Sequence, residues 1–236
     1  MRQLVLGFGV GKCGTTSLAH LLNIQPNSYF SHEIDGLHWF GIFSDYHKVI
    51  KQIRRRAEKY DFTGDVSYVW IQHLSQMVKL FPGVKFVNMW RDKEETVESF
   101  WKSSENRREA MNTPTQWATP DFWFGMYPFF GFPPSKDQIA HTYDIYHRLT
   151  HVALLKYPNR IFSLNVKSLS DLDKVDNLLD FVGIPKDQRV VEKVKANVKG
   201  QSSMELFIVP TEDMDKKYKH KMKAGITLEA STRRSL

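Results

Sequence analysis

The hydrophobic residues of this chain fall into short continuous runs that alternate with longer segments of helical periodicity. The short apolar runs predict buried strands near residues 3–9, 28–31, 61–66, 84–90 and 160–166. Apolar residues at helical spacing predict helices near residues 15–23, 45–59, 69–80, 93–104, 135–156, 170–182 and 186–197. Strands that alternate with helices predict an α/β fold, in which a parallel sheet of about five strands is covered by helices on both faces. In such a sheet we expect the ligand site at the carboxyl ends of the strands.

One segment interrupts this alternation. Residues 113–134 combine many aromatic side chains with several prolines. A loop this long is often functional, and we expect a lid or an apolar wall over a bound molecule, although a separate hydrophobic cluster is an equally compatible interpretation. The pattern as a whole predicts a single domain over residues 1–200. A basic extension, residues 201–236, follows that domain.

The composition is that of a globular protein with a core of its own. The chain has 236 residues, of which 42% are hydrophobic and 25% are charged, and this balance excludes a disordered chain. Its 33 Lys and Arg residues against 26 Asp and Glu residues give a net charge of +7. That excess suits an anionic ligand or surface, although the dense basic run at residues 216–223 reads more simply as a solvated tail.

Three features predict a cytoplasmic protein. Cys13 is the only cysteine, so no intrachain disulfide can form and a reducing compartment is the simplest expectation. No stretch approaches the roughly 20 apolar residues of a membrane span. The first residues run directly into a strand and lack the pattern of a signal peptide.

The segment that follows the first strand predicts a binding site for phosphate. A glycine-rich turn, a lysine and a cluster of hydroxyl residues lead into a helix, so backbone N–H groups, the helix dipole and a full positive charge point at one place. The candidate ligand-binding residues are Gly11, Lys12, Cys13, Gly14, Thr15, Thr16 and Ser17. A Walker A loop is an imperfect match, because its first glycine would fall on Leu6 and its Mg²⁺-binding hydroxyl would fall on Cys13.

The loop resembles the 5′-phosphosulfate loop of the sulfotransferases that use 3′-phosphoadenosine 5′-phosphosulfate (PAPS). That loop reads lysine, a small residue, Gly-Thr-Thr, Ser or Thr, then Leu. Arg91 ends the predicted strand 84–90 and Ser99 follows eight residues later, the spacing with which this family binds the 3′-phosphate. Residues 181–185 are similar to the Phe-Leu-Gly-hydrophobic-Pro element of the family. The resemblance covers residues 3–200 and implies a three-layer, P-loop-like fold.

The resemblance also implies a reaction and its residues. PAPS would be the sulfuryl donor and PAP the product, with no metal, and Lys12 would stabilise the charge that develops on the leaving phosphate. Glycan and some bacterial members place a catalytic glutamate just after the second strand, which corresponds to Glu33. The neighbouring His32 is the second candidate for the base. Lys199 and Gly200 correspond to the family's Lys-Gly loop near the 3′-phosphate.

The partners implied are a small-molecule or glycan acceptor and no specific nucleic acid. One departure from the family pattern concerns the acceptor side: Val66 stands where glycan sulfotransferases have a lysine. Two other interpretations therefore stay open. One is a P-loop kinase that uses ATP and Mg²⁺, with Asp65 as the nearest candidate for the metal. The other is a non-catalytic protein that binds PAP or PAPS.

Overall fold

The computed structural model describes residues 2–34, 36–110 and 134–192, and in these ranges five parallel strands form one sheet. The strands β1 to β5 are Gln3–Phe8, Ser28–His32, Phe62–Val66, Lys85–Trp90 and Ile161–Asn165. Their order across the sheet is β2-β3-β1-β4-β5. The predicted α/β fold and all five predicted strands are confirmed. The boundary predicted at residue 200, the extension 201–236 and all but the last residue of the segment 113–134 lie outside the described residues.

Six α-helices connect and cover the described strands. The helices α1 to α6 are Thr15–Asn23, Tyr46–Lys59, Leu74–Leu80, Lys93–Ala110, Lys136–Lys156 and Leu172–Val182. Short 3₁₀ turns are formed by Gly41–Phe43, Tyr68–Gln72 and Val166–Ser170. Local capping defines several helix boundaries: Asp45 accepts a hydrogen bond from the N–H of Lys48 at the start of α2, and Ser135 forms a capping box with Gln138 at the start of α5.

The helices α1 and α2 lie on opposite faces of the sheet edge. Successive residues of a strand point to opposite faces. In β2, the ring of His32 contacts Thr15 of α1, whereas the hydroxyl of Ser31 accepts a hydrogen bond from Arg56 of α2. The sheet is therefore the middle layer between helices, as the alternation of strands and helices predicts.

The core lies around β1, the central strand. Val5, Leu6 and Phe8 have no exposed surface, and Leu18 and Leu21 of α1 are equally buried. A strand enclosed on both faces carries apolar residues at nearly every position, which is why the N-terminal run is continuous and not alternating. The same register aligns the carboxyl ends of the strands: Gly7 pairs with both Val66 and Val87.

Two predicted helices differ from the structure. The helix predicted at 69–80 is a 3₁₀ turn followed by α3, with a break at His73, because that ring is held by the hydroxyl of Tyr46 and the carbonyl of His38. The helix predicted at 186–197 is wrong over residues 186–192. There the backbone of Val190 bonds to the side chain of Gln25, so those peptide groups are not available to a helical ladder.

The segment after Pro185 is tied back to α6 by a buried arginine. The side chain of Arg189 is 3% exposed and donates to the carboxylates of Asp176 and Asp180. This pairing turns the chain toward α6, and the neighbouring Val190 bonds to Gln25 just after α1. A sequence pattern cannot distinguish this arginine from one on a solvated helix.

We predict that Gly64→Ala destabilises the protein severely. A Cβ atom at position 64 would lie 1.7 Å from the backbone oxygen of Val5, and a backbone atom in a paired strand cannot move aside. The expected loss in the free energy of unfolding is about 3 kcal/mol or more, at the upper end of overpacking costs. Urea denaturation measures it. The control is Gly83→Ala, where no atom lies within 4 Å of the added carbon, and its effect should stay below about 1 kcal/mol. Equal effects of the two substitutions would contradict the β1–β3 pairing.

Candidate functional site: the carboxyl edge of the sheet

The glycine-rich loop, residues 9–14, turns the chain from β1 into α1. Lys12 has φ 71° and Gly14 has φ 93°, both in the left-handed region. Gly14 is also the N-cap of α1 and provides no side-chain cap. The first N–H groups of a helix have no partner within the helix, so those at the start of α1 face the loop as donors. The loop therefore carries the backbone geometry of an anion cradle; Lys12 belongs to it, and Thr15 and Thr16 follow directly as the first residues of α1.

Cys13 fastens this loop to the neighbouring strand β4. Its thiol is fully buried and donates a hydrogen bond to the carbonyl oxygen of Met89 at 3.2 Å. Its N–H donates to the carbonyl of Val10 at 3.2 Å. Burial raises the pKa of the thiol, which keeps it protonated and unreactive. The side chain of Cys13 thus shapes the loop, and contact of this residue with a nucleotide stays a prediction.

Arg91 lies directly after β4, beside the loop that follows β1. Its guanidinium Nε donates to Oε2 of Glu95 at 3.0 Å, and its carbonyl accepts a hydrogen bond from the hydroxyl of Tyr143 at 2.7 Å. The positive charge of Arg91 acts against the effect of burial on the pKa of Cys13, in keeping with its position beside the loop. Ser99 lies on α4 between the buried residues Thr96 and Phe100 and is itself partly exposed.

The strand β2 ends at His32, and Glu33 follows it at the same edge of the sheet. The Nε2 atom of His32 shares a hydrogen bond of 3.1 Å with the hydroxyl of Thr15 in the first turn of α1. Burial, and then the charge of Lys12, lower the pKa of His32, while Asp65 raises it less than burial lowers it. The ring is therefore neutral at pH 7. Glu33 has φ 59° and its N–H donates to the carbonyl of Val66 at 3.0 Å. The structure thus brings the predicted base region against the predicted phosphate loop.

Asp65 organises the backbone beneath this region. Its carboxylate is fully buried and accepts three hydrogen bonds: from the hydroxyl of Ser31 at 2.6 Å, from the N–H of Ile34 at 2.9 Å and from the indole of Trp70 at 2.7 Å. Burial raises the pKa of Asp65 to about 6, against the smaller effects of Ser31, Trp70 and Arg56. Both oxygens are engaged by protein donors, so Asp65 holds the end of β2 in place. An acidic residue in an apolar strand was the sequence signal for this role.

Val66 explains the departure from the glycan-type pattern. It is fully buried, and a Cβ atom at Gly7 would lie 2.8 Å from its Cγ1 atom. The side chain at position 66 therefore packs against β1 in the core. A lysine side chain that followed the direction of Val66 would place its aliphatic part against Gly7 and Leu18. Position 66 therefore supplies packing here and not charge.

The loop between β2 and α2, which begins with Glu33, carries an exposed apolar side chain. It is closed by a hydrogen bond of 2.7 Å from the N–H of Asp45 to the carbonyl of Gly36, and Trp39 anchors it against Tyr68. Ile42 is 87% exposed at its tip. An anchored loop with an apolar tip is a candidate for contact with an acceptor.

The remaining expectations from the sequence concern Lys199 and Gly200, a metal site and a membrane span. Lys199 and Gly200 lie outside the described residues. Within residues 2–34, 36–110 and 134–192, no three His, Cys, Asp or Glu side chains lie together as a metal site would need. None of the helices in the same ranges is both long enough and apolar enough to cross a bilayer.

We predict that Asp65→Asn destabilises the protein in a pH-dependent manner. The NH₂ group of asparagine would replace one accepting oxygen, so at least one of three donors loses its partner, at a cost of about 1–3 kcal/mol. The pKa of Asp65 is about 6, above its ordinary value of 3.8, so between these values the folded protein holds a proton that the unfolded chain has released. The contribution of Asp65 to stability therefore falls as the pH rises through this window.

The loss caused by Asp65→Asn should accordingly be larger at about pH 4.5 than at about pH 7.5, as measured by urea denaturation. Asp187→Asn is the matched control, because Asp187 is exposed. A loss of the same size at both pH values would show that the pKa of Asp65 is not raised by burial.

Solved structures of two sulfotransferases are similar to this chain. The chain matches no known family profile and no curated protein sequence. A sulfotransferase from Alicyclobacillus acidocaldarius is 15% identical, covers 100% of this chain and 98% of its own, and superposes with a TM-score of 0.57. Mouse sulfotransferase SULT7A1, solved in complex with PAP, is 12% identical over 94% of this chain and 82% of its own, with a TM-score of 0.48. The described part of the chain therefore shares the fold of this bacterial sulfotransferase.

Proposed function

We propose that this protein transfers a sulfuryl group from PAPS to a hydroxyl or amine of an acceptor. One observation carries the proposal. Lys12 and Arg91 follow β1 and β4, which are adjacent parallel strands with Phe8 beside Asn88, so both cations lie at the same sheet edge. A nucleotide with phosphate groups at its 5′ and 3′ positions has two anionic ends, and two neighbouring cationic strand ends complement it.

The residues present fit such a nucleotide. The left-handed backbone at Lys12 and Gly14, together with the N-terminus of α1, suits the 5′-phosphosulfate end. The planar guanidinium of Arg91, with Ser99 further along α4, suits the 3′-phosphate. Lys199 and Gly200 complete this proposed set beyond the described residues. No step of the reaction requires a metal.

PAPS supplies a sulfuryl group whose bond to the 5′-phosphate oxygen breaks while a bond from sulfur to the acceptor oxygen or nitrogen forms. The proton of the acceptor passes to the carboxylate of Glu33, with neutral His32 as the second candidate for this role. The ammonium of Lys12 stabilises the negative charge that the departing phosphate oxygen gains. The products are the sulfated acceptor and PAP.

Two observations disfavour a kinase that uses ATP and Mg²⁺. The residue in the place of the Walker A hydroxyl is Cys13, whose thiol donates a hydrogen bond to the carbonyl of Met89 in the core. The nearest candidate for a metal-binding carboxylate is Asp65, and both of its oxygens already accept hydrogen bonds from protein donors. The donors that reach the edge of the sheet are thus suited to anions.

The acceptor and the compartment belong to the same proposal. A small molecule or a glycan would approach Glu33 past the exposed loop tip at Ile42, and no nucleic acid is required. The single cysteine favours a reducing compartment such as the cytoplasm. The buried Val66 favours a second possibility, a protein that binds PAP without turnover, and the experiments below separate the two.

We predict that the protein binds PAP and that Arg91→Ala weakens this binding at least about 10-fold, because a charge-assisted contact to phosphate is lost. Isothermal titration calorimetry with PAP and with ATP-Mg²⁺ measures it. Lys79→Ala is the control, because Lys79 is an exposed lysine on α3, before the amino end of β4. PAP binding that needs Arg91 but not Lys79 supports the proposal. Binding of ATP-Mg²⁺ that ignores Arg91 would favour the kinase instead.

We predict that Glu33→Gln lowers kcat by about 10²-fold or more with any accepted substrate and leaves PAP affinity unchanged, because the amide cannot take a proton. Lys12→Ala should also lower kcat by about 10²-fold or more, because a preorganised positive charge is removed. Steady-state kinetics and PAP titration report the two effects separately. His32→Gln tests the alternative base: a larger loss of kcat there than in Glu33→Gln would exchange the two roles. PAP binding with no turnover by the wild type on a broad acceptor panel would favour the non-catalytic interpretation.

A further inference from the structure

The carboxylate of Glu95 lies between two cations at the carboxyl edge of the sheet. Its Oε2 atom is 3.0 Å from Nε of Arg91, and its Oε1 atom is 2.6 Å from Nζ of Lys167. Lys167 and then Arg91 lower the pKa of Glu95, so the carboxylate is ionised at neutral pH. Two cations bind one carboxylate here. The same arrangement would equally suit the oxygens of a phosphate group.

Lys167 is held at this edge by its backbone. It follows β5, whose last residue Asn165 pairs with Trp90 of β4, and its N–H donates to the side chain of Asn165 at 2.8 Å. The flanking residues Val166 and Leu169 are buried. The ammonium at the end of this fixed segment is exposed, with 69% of the side chain accessible.

The same segment touches the glycine-rich loop. A Cβ atom at Gly14 would lie 2.5 Å from a methyl carbon of Val166, the residue before Lys167. Lys167 therefore stands at the junction of three elements, namely the loop after β1, the end of β4 and the end of β5. The family resemblance assigns no ligand contact to this lysine.

We propose that Lys167 is a second cation for the nucleotide phosphate that Arg91 binds, and that Glu95 competes with this phosphate for both cations. The inference rests on the proposed function, because it assumes that a 3′-phosphate reaches Arg91. A phosphate dianion carries more charge than the carboxylate and offers three oxygens, so it displaces Glu95 from Arg91 and Lys167. A nucleotide without a 3′-phosphate gains nothing from these cations. The Arg91–Glu95–Lys167 cluster thus selects nucleotides that carry the 3′-phosphate.

The test is the affinity of the full chain for PAP and for 5′-AMP, measured by calorimetry at two salt concentrations. Lys167→Ala should weaken PAP binding about 5- to 10-fold, and Lys167→Arg should restore it. Glu95→Gln should tighten PAP binding about 3-fold or more, because the competing charge is gone. Neither substitution should change the affinity for 5′-AMP. The loss in Lys167→Ala should shrink at the higher salt concentration, since the contact is between exposed charges.

Matched controls exist on the same helix. Glu98 lies on α4 and also contacts two lysines, Lys102 and Lys136, so Glu98→Gln removes a similar carboxylate away from Arg91. Lys93→Ala removes a lysine of α4 that pairs with Asp144. Both controls should bind PAP as the wild type does.

The outcomes separate this inference from the proposed function. A wild type that does not bind PAP overturns the proposed function and this inference with it. PAP binding that needs Arg91 but is unchanged in Lys167→Ala and Glu95→Gln overturns only the present inference. Equal loss of PAP and 5′-AMP affinity in Lys167→Ala would also overturn it, because a structural effect on the glycine-rich loop would act on both ligands.

Discussion

The close approach of the glycine-rich loop to β4 is the contact on which the candidate site depends. A Cβ atom at Gly9 would lie 2.4 Å from the carbonyl oxygen of Met89, so only glycine permits this distance without displacement. The thiol of Cys13 donates a hydrogen bond to the same carbonyl oxygen and holds the loop against the strand. As a consequence, the residues that follow, from Lys12 into α1, lie beside the strand end that carries Arg91. A larger residue at position 9 would separate the two cations.

A second constraint is the buried carboxylate of Asp65. A charge in the core is costly unless it is fully hydrogen-bonded, and here three donors satisfy it. Because two of these donors belong to residues 31 and 34, the carboxylate fixes the backbone on either side of His32 and Glu33. The left-handed conformation of Glu33 is maintained in this way, and a residue with no exposed surface controls the position of the proposed base.

Positively charged side chains follow three of the strands at this sheet edge. Lys12, Arg91 and Lys167 come from the ends of β1, β4 and β5, while the acidic Glu95 lies among them on α4. Exposed ion pairs of this kind contribute little to stability. Their consequence is more direct for the proposed binding, because an anionic ligand would meet preformed positive charge and would compete with Glu95 for Arg91 and Lys167.

The sequence by itself determined the strands, most of the helices that cover them and the position of the glycine-rich loop, because these follow from local periodicity and from glycine, lysine and hydroxyl residues adjacent in the chain. The predicted parallel sheet also implies that Lys12 and Arg91 share one edge, since such a sheet aligns the carboxyl ends of its strands. The tertiary structure alone decided the rest. It broke a predicted helix at His73, put a non-helical segment held by Arg189 and Val190 in place of the helix predicted over residues 186–192, and placed Lys167 beside Arg91 and Glu95. These outcomes depend on side chains from strands and helices that are distant in sequence, and their hydrogen bonds and charges act only once the sheet has brought them together.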